Sequence, residues 1–277
     1  MIHFLEMKNI LDIMDSKFLK IWFFPHCDFE EIKEISKEID NANYDHVLLP
    51  FKSRLPDPVL RSYTVFNNTK NVGCFIAIPG YAMSSEYMVM MHKTIIDTFP
   101  NRDFILNIID GGPEEDLSRF NINRDVDNIK LINENFVKYL KDNSSIKIAF
   151  SGMTDETSSL VKKYGEYQYV QLQDFYNFFD KNKTKNVLIR LVICARQTKE
   201  EAEKYLSHAI NEIKSEPYFS KNILDRLMGN LLVGSYDEVA FKIEKLKKAG
   251  AVGIVVSDIA LIEHDRDNVH KVMNLIK

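Results

Sequence analysis

Short runs of Val, Ile, Leu and Phe alternate along the chain with longer stretches in which apolar residues recur every three or four positions. The runs predict strands over Leu19–Phe24, His46–Pro50, Val72–Pro79, Phe104–Ile109, Ile146–Phe150, Tyr167–Gln171, Val187–Ala195 and Val252–Ser257. Most lack the alternation of a one-faced sheet, as expected for parallel strands covered on both sides. Between them the helical period predicts helices over Phe29–Ile39, Asp57–Phe66, Ser84–Phe99, Val126–Lys141, Glu156–Tyr164, Asp174–Lys181, Lys199–Lys214 and Glu238–Lys248. Ser235-Tyr-Asp-Glu238 and Thr198-Lys-Glu-Glu201 have the capping-box spacing, in which hydroxyl and carboxylate each bond the other residue's backbone N–H. Gly250 stands where a helix end must turn before the last strand.

This alternation predicts one α/β domain with a parallel sheet. Eight strand runs match the number that closes a (β/α)8 barrel, for which about 250 residues is typical. A doubly wound open sheet is the competing topology, but no GxGxxG follows a strand, which weakens its dinucleotide-binding form. The whole of 1–277 is therefore read as a single (β/α)8 TIM-barrel domain with shortened loops.

Composition narrows the partners. A net charge of -4 from 36 basic and 40 acidic residues offers no basic excess for nucleic acid. No stretch of 18 uncharged apolar residues predicts a membrane span, and Glu6, Asp12 and Asp15 interrupt the N-terminal apolar stretch as no signal peptide would. Cys27, Cys74 and Cys194 are odd in number and widely spaced, each within apolar sequence. That usage fits a reducing, cytoplasmic setting.

Four places carry candidate chemistry. His26-Cys27-Asp28 follows the first strand, at the active face of a barrel, although a turn with Asp28 as helix cap explains it equally well. Asn107 ends the fourth strand, and Gly111-Gly112 beyond it allows close backbone approach to a ligand or simply a tight turn. Ser151-Gly152-Met153-Thr154 precedes a helix whose positive end suits a phosphate, the plainer reading being a Ser/Thr cap. Arg190 lies within Val187-Leu-Ile-Arg-Leu-Val-Ile-Cys-Ala195, where a buried guanidinium needs an anionic partner or a wet cavity. The remaining histidines show no metal-ligand spacing, so no metal is expected.

Taken in order, these pieces resemble the luciferase-like flavin-dependent monooxygenases, and among them the alkanesulfonate monooxygenases. Ile21-Trp-Phe-Phe-Pro-His-Cys-Asp28 is similar to the family's aromatic first strand, Asp45-His-Val-Leu-Leu-Pro50 to its second, and Phe104-Ile-Leu-Asn-Ile-Ile-Asp-Gly-Gly112 to its fourth. Ala149-Phe-Ser-Gly-Met-Thr154 resembles its phosphate loop, and Ile189–Ala202 with Leu232–Ala240 are the most specific stretches. The resemblance implies a (β/α)8 barrel, usually a homodimer, that receives FMNH2 from a separate flavin reductase and uses O2 to oxygenate a small organic substrate. It implies that Ala77 and Asn107 bind the cofactor near its ring system and that Ser151, Gly152, Met153 and Thr154 hold its phosphate. Arg190 matches a catalytic strand arginine, His26 a histidine at the mouth, and Arg226, with a one-residue gap, an arginine of a mobile loop.

The departures are also specific. Val192, Ile259, Leu55 and Ile78 stand where the family carries His, Tyr, Cys and Arg. The passage from Lys141 to Ile146 lacks a segment of its relatives, and Ile213–Leu232 is short, which predicts a poorly covered barrel mouth. Alternatives to oxygenation are therefore a flavin- or ligand-binding barrel without turnover and a deazaflavin-dependent oxidoreductase.

Overall fold

The computed structural model describes residues 17–24, 28–52, 55–109, 114–120, 122, 125–182, 186–215, 221–259 and 265–276. The strands are β1 (Leu19–Phe23), β2 (His46–Pro50), β3 (Gly73–Ile78), β4 (Phe104–Ile108), β5 (Lys147–Ser151), β6 (Tyr167–Gln171), β7 (Val187–Arg196), β8 (Leu231–Ser235) and β9 (Ala251–Asp258). The helices are α1 (Phe29–Asn41), α2 (Pro58–Asn68), α3 (Ser85–Thr98), α4 (Glu114–Arg119), α5 (Val126–Asn143), α6 (Asp155–Tyr164), α7 (Leu172–Asn182), α8 (Lys199–Ser215), α9 (Lys221–Met228), α10 (Tyr236–Lys248) and α11 (Arg266–Leu275).

Every strand pairing is parallel, and β1 through β6 pair in sequence. β6 then pairs β7, β7 pairs β9, and β9 returns to β1, closing an eight-stranded barrel. These eight are the strands predicted from the apolar runs. The ninth, β8, joins only the upper half of β7, from Val192↔Leu231 to Arg196↔Ser235. Its five residues alternate between buried and half-buried and include Gly234, so they lack the apolar run that marks the others.

Side chains alternate between two layers. Inward residues such as Ile21, Leu48, Phe75, Ile105, Ala149, Leu188 and Val255 fill the barrel, while Val47, Leu49, Ile76, Leu106, Ile148 and Ile254 pack outward in the helix-facing core. Helix starts are fixed by side-chain caps, each contributing about 1 kcal/mol. Asp28 and Glu31 form a capping box on α1, Asp57 caps α2 with Pro58 behind it, and Ser235 with Glu238 caps α10. The box at Thr198 and Glu201 is also formed, at 3.2 and 3.3 Å.

Two expectations about loops require correction. The passage from α5 to β5 is an αβ connection, so it lies at the N-terminal end of the barrel and has no part in covering the mouth. The stretch after Ile213 is not simply a short loop, because it contains α9 and the start of β8.

The N-terminal end of the barrel is closed by charge. His46 Nε2 meets Asp103 Oδ2 at 3.0 Å, and Lys147 Nζ approaches Asp103 Oδ1 at 2.9 Å. Gly73 makes room for this arrangement, since a Cβ there would lie 2.6 Å from the His46 ring. Burial raises the Asp103 pKa, but hydrogen bonds from His46 and Lys147 outweigh it and bring the carboxyl from 3.8 to about 2.

A carboxyl whose pKa falls on folding stabilises the native state above its unfolded pKa, and that stability disappears as pH drops through the folded one. Asp103→Asn is expected to lower stability at neutral pH by about 1 kcal/mol, after allowance for its partial exposure. It should also flatten the loss of stability between pH 4 and pH 2. Urea midpoints measured across that range check this, and an unchanged acid slope would show that the cluster contributes nothing.

Candidate active site

Strand register brings the polar residues of the C-terminal end together. Ala77 lies opposite Asn107, Ser151 opposite Tyr169, Gln171 opposite Arg190, and Arg190 opposite Val255. Asn107 is almost fully buried. It exchanges hydrogen bonds with the Ser151 hydroxyl, at 2.9 Å as donor and 3.1 Å as acceptor. Three of the residues expected to bind a cofactor, Ala77, Asn107 and Ser151, are thus neighbours on β3, β4 and β5.

The Ser151–Thr154 loop leaves β5 through Gly152, whose φ of +130° is a conformation that side-chain-bearing residues rarely adopt. Gly152 N–H donates to the Tyr169 carbonyl at 3.3 Å, and the Gly152 carbonyl accepts from Gln168 Nε2 at 2.9 Å. The Thr154 hydroxyl accepts from Thr157 N–H at 3.1 Å and so caps α6, as the plainer reading expected. Met153 and Thr154 are exposed, which leaves the loop open to a ligand.

Arg190 is 8% exposed and donates to the Leu191 carbonyl at 2.7 Å, the Val255 carbonyl at 3.2 Å and the Ser257 hydroxyl at 2.7 Å. Its guanidinium carbon stands 4.4 Å from the centre of the Phe23 ring. Among the described residues no carboxylate comes within ion-pair distance of it. Burial lowers its pKa, opposed by the fields of Tyr169 and Asp258. The anionic partner demanded by a buried guanidinium is therefore replaced by neutral oxygens and a π face, a weaker compensation than a carboxylate.

Tyr169, beneath the same mouth, has its hydroxyl pKa raised by burial, with Arg190 and Arg226 pulling the other way. Arg226 thus acts electrostatically on this region from α9, although its own side chain is exposed. Phe23, Tyr169 and Ser257 were not singled out in the sequence. The period-two pattern Tyr167-x-Tyr169-x-Gln171 was the available signal, because alternate polar residues on a barrel strand point inward. His26 and Cys27 lie outside the described residues, as do Gly111 and Gly112.

Two of the four departing positions, Val192 and Ile259, do not line an open chamber. Val192 and Ile259 are each 1% exposed, packed with Cys194, Ala209 and Ile213 beneath α8. Cys194 and Cys74 are buried and unpaired, and burial pushes the Cys194 thiol up to about 11. Neither thiol is disposed to act as a nucleophile.

No metal-binding cluster of His, Cys, Asp or Glu exists among the described residues, and no described helix is long and apolar enough to cross a membrane. No family model matches the chain, and no curated protein matches it by sequence. Solved structures do share its architecture. An F420-dependent secondary alcohol dehydrogenase in complex with an F420–acetone adduct superposes with a TM-score of 0.70 at 12% identity, covering 94% of this chain and 99% of the other. The oxygenating constituent of 3,6-diketocamphane monooxygenase from Pseudomonas putida, in complex with FMN, gives 0.66 at 13% identity, covering 94% and 96%. An EDTA monooxygenase from Chelativorans sp. BNC1 gives 0.69 at 11% identity, covering 94% and 92%. The chain has the barrel fold of these monooxygenases and this dehydrogenase.

Proposed function

We propose that the chain is a flavin-dependent oxidoreductase, specifically a two-component monooxygenase that takes FMNH2 from a separate reductase and acts with O2 on a small organic substrate. The observation that carries this reading is Arg190, a buried cation at the barrel mouth with no carboxylate in ion-pair contact among the described residues. Such a group is suited to an anion that arrives, and reduced FMN and many of its substrates are anions. When bound, the flavin would supply the redox chemistry. The chain would supply position and charge: backbone N–H groups of the Ser151–Thr154 loop for the phosphate, Ala77 and Asn107 beside the ring system, and Arg190 and Arg226 as positive field. His26, which follows β1 in the sequence and lies outside the described residues, is assigned to the mouth as a proton-handling group on the family resemblance alone. A cytoplasmic setting accords with the unpaired Cys74 and Cys194.

A deazaflavin is the second reading, supported by the F420-dependent dehydrogenase among the structures of the same fold. A binding barrel without turnover is the third, supported by the burial of Val192 and Ile259 where the family has polar groups.

Assembly as a homodimer belongs to the same proposal. α2 presents Leu60, Tyr63, Thr64 and Asn67 outward with no charged residue among them, and α3 beside it exposes Tyr87 and Met90. The Tyr63 and Phe99 rings join the two helices at 5.1 Å. On the rim of α3 Lys93 pairs Asp97 at 2.9 Å, and Glu86 accepts from the Ser85 hydroxyl at 3.3 Å. Adjoining exposed apolar side chains of this kind are the surface that a protein partner covers. A second copy offers the same largely apolar surface, as a two-fold interface requires.

Fluorescence titration of the purified chain tests the cofactor. FMN or FMNH2 should bind at micromolar concentration and riboflavin, which lacks the phosphate, at least tenfold more weakly. F420 binding tighter than FMN would transfer the reading to the deazaflavin, and no binding of either would end it.

Arg190→Met retains volume and removes the charge. Oxygenation or reduction is expected to fall about 10²–10³-fold, with the melting temperature shifted by only a few degrees. A large loss of stability with flavin affinity intact would instead make Arg190 a structural tie.

Light scattering should give twice the chain mass of 32.2 kDa. Leu60→Glu plus Met90→Glu should give monomer, and a monomeric parent at tens of micromolar would reject the dimer.

A further inference from the structure

The inward residues of β6 are Tyr167, Tyr169 and Gln171, as the alternation of a barrel strand requires. Gln171 takes the Asn230 amide at 2.5 Å, and Tyr167 faces the Lys147 and Asp103 cluster at the N-terminal end. Tyr169 stands between them, opposite Ser151 on β5 and Leu188 on β7. Its ring belongs to the packing inside the barrel, with Phe75, Ala149 and Leu188, and meets the Phe75 ring at 6.4 Å and 66°. A phenylalanine would serve that packing equally well. The hydroxyl needs a separate account.

The polar groups around it are engaged with one another. Asn107 and Ser151 exchange hydrogen bonds, and Arg190 donates to Leu191, Val255 and Ser257. The Tyr169 hydroxyl bonds to no described residue. It is not sealed in either. His46 Nδ1 and Gln168 Oε1 are cut off from solvent without a partner, whereas the Tyr169 oxygen is not, and the residue is half-buried. Burial holds its pKa above the ordinary phenol value, while Arg190 and Arg226 act on it from the mouth end of the barrel. At neutral pH the group is therefore an uncharged O–H donor.

Two plainer roles fit this placement less well. A structural hydroxyl is bonded within the fold, and an idle one stands on a surface ring, not on a ring packed in the barrel interior. β6 also lies between β5 and β7. A molecule that reaches from the Ser151–Thr154 loop to Arg190 must cross Tyr169 and displace water from its hydroxyl. A donor stripped of water is costly unless the incoming molecule offers an acceptor in exchange.

We propose that the Tyr169 hydroxyl is a ligand-contacting hydrogen-bond donor that selects molecules presenting a carbonyl or carboxylate oxygen to the floor of the mouth. This names a substrate class for the site proposed above and rests on that reading for where the substrate lies. The hydrogen bond itself requires no flavin.

The test uses the full chain, isotope-labelled at the tyrosine ring carbon that bears the oxygen, with the Tyr169 resonance assigned by its loss in Tyr169→Phe. Acetamide, acetate and acetamidinium have nearly the same shape and offer, respectively, a carbonyl oxygen, a carboxylate and N–H donors alone. Acetamide and acetate should move the resonance saturably at millimolar concentration, and acetamidinium should not. Tyr169→Phe should weaken acetamide, followed by broadening of its methyl signal, about three- to tenfold, the scale of one neutral hydrogen bond. The melting temperature should not change, because no internal bond is lost.

An acetamidinium shift as large as that of acetamide would overturn the proposal, as would a resonance that none of the three moves. A loss of several degrees of stability in Tyr169→Phe would overturn it as well, by making the hydroxyl structural. Titration with FMN separates this inference from the cofactor reading. If acetamide moves the resonance and no flavin binds, the donor stands and the flavin reading falls. If FMN binds while neither FMN nor acetamide moves the resonance, the donor falls and the flavin reading stands.

Discussion

Closing eight strands while admitting a ninth requires one corner of the barrel to open, and a single buried amide holds that corner. β7 pairs β6 up to Arg190 and pairs β8 from Val192 onward on the same edge. Asn230, 3% exposed, stands in the fork. Its side-chain oxygen accepts from Leu172 N–H at 2.9 Å, its amide nitrogen donates to the Gln171 side chain and the Arg226 carbonyl, and its carbonyl accepts from Val192 N–H at 2.8 Å. The end of β6, the middle of β7, the start of β8 and the end of α9 are thus tied to one residue. Buried polar groups must be paired, and the open backbone groups of the fork are met by the side chain and the carbonyl of this residue.

The fork also explains where the charge sits. Arg190 is the last residue of β7 to pair β6, and its guanidinium donates to the carbonyl of Leu191, which lies between the two pairings. The two ends of the barrel therefore differ in kind. At the N-terminal end Asp103 lies between His46 and Lys147, a charge answered on the spot. At the C-terminal end Arg190 faces carbonyls, a hydroxyl and the Phe23 ring, with no carboxylate in ion-pair contact among the described residues. A closed ionic cluster seals, whereas an uncompensated cation in a dry setting acts strongly on whatever anion approaches.

How much of this was legible depended on the kind of signal. The eight barrel strands were readable because burial on both faces forces unbroken apolar runs. Helix starts were readable from Asp, Ser and Thr caps. β8 was not, because it joins one half of one strand and is partly exposed, so Leu231–Ser235 carries too little apolar sequence. Asn230 was equally silent, since an Asn beside a Gly reads as a turn. At the mouth Asn107, Ser151 and Arg190 were each visible as polar residues in apolar surroundings. Phe23 and Tyr169 were not, because an aromatic residue on a strand is ordinarily core, and only the closed register shows that they share a rim with Arg190.

The fork also alters what the family departures mean. Taken along the sequence, aliphatic residues at 192 and 259 suggest a mouth that has lost polar lining. In the fold, the upper halves of β7 and β8 form a surface that α8 and α9 cover with Tyr205, Leu206, Ala209, Ile213 and Leu227, and both aliphatic residues lie within that packing. A histidine at 192 or a tyrosine at 259 would here be a polar group buried in an apolar cluster, at a cost of several kcal/mol unless partnered. Their absence is therefore a packing requirement of this chain. It removes those two positions from the lining of the mouth and leaves Asn107, Ser151, Tyr169 and Arg190 as polar groups there.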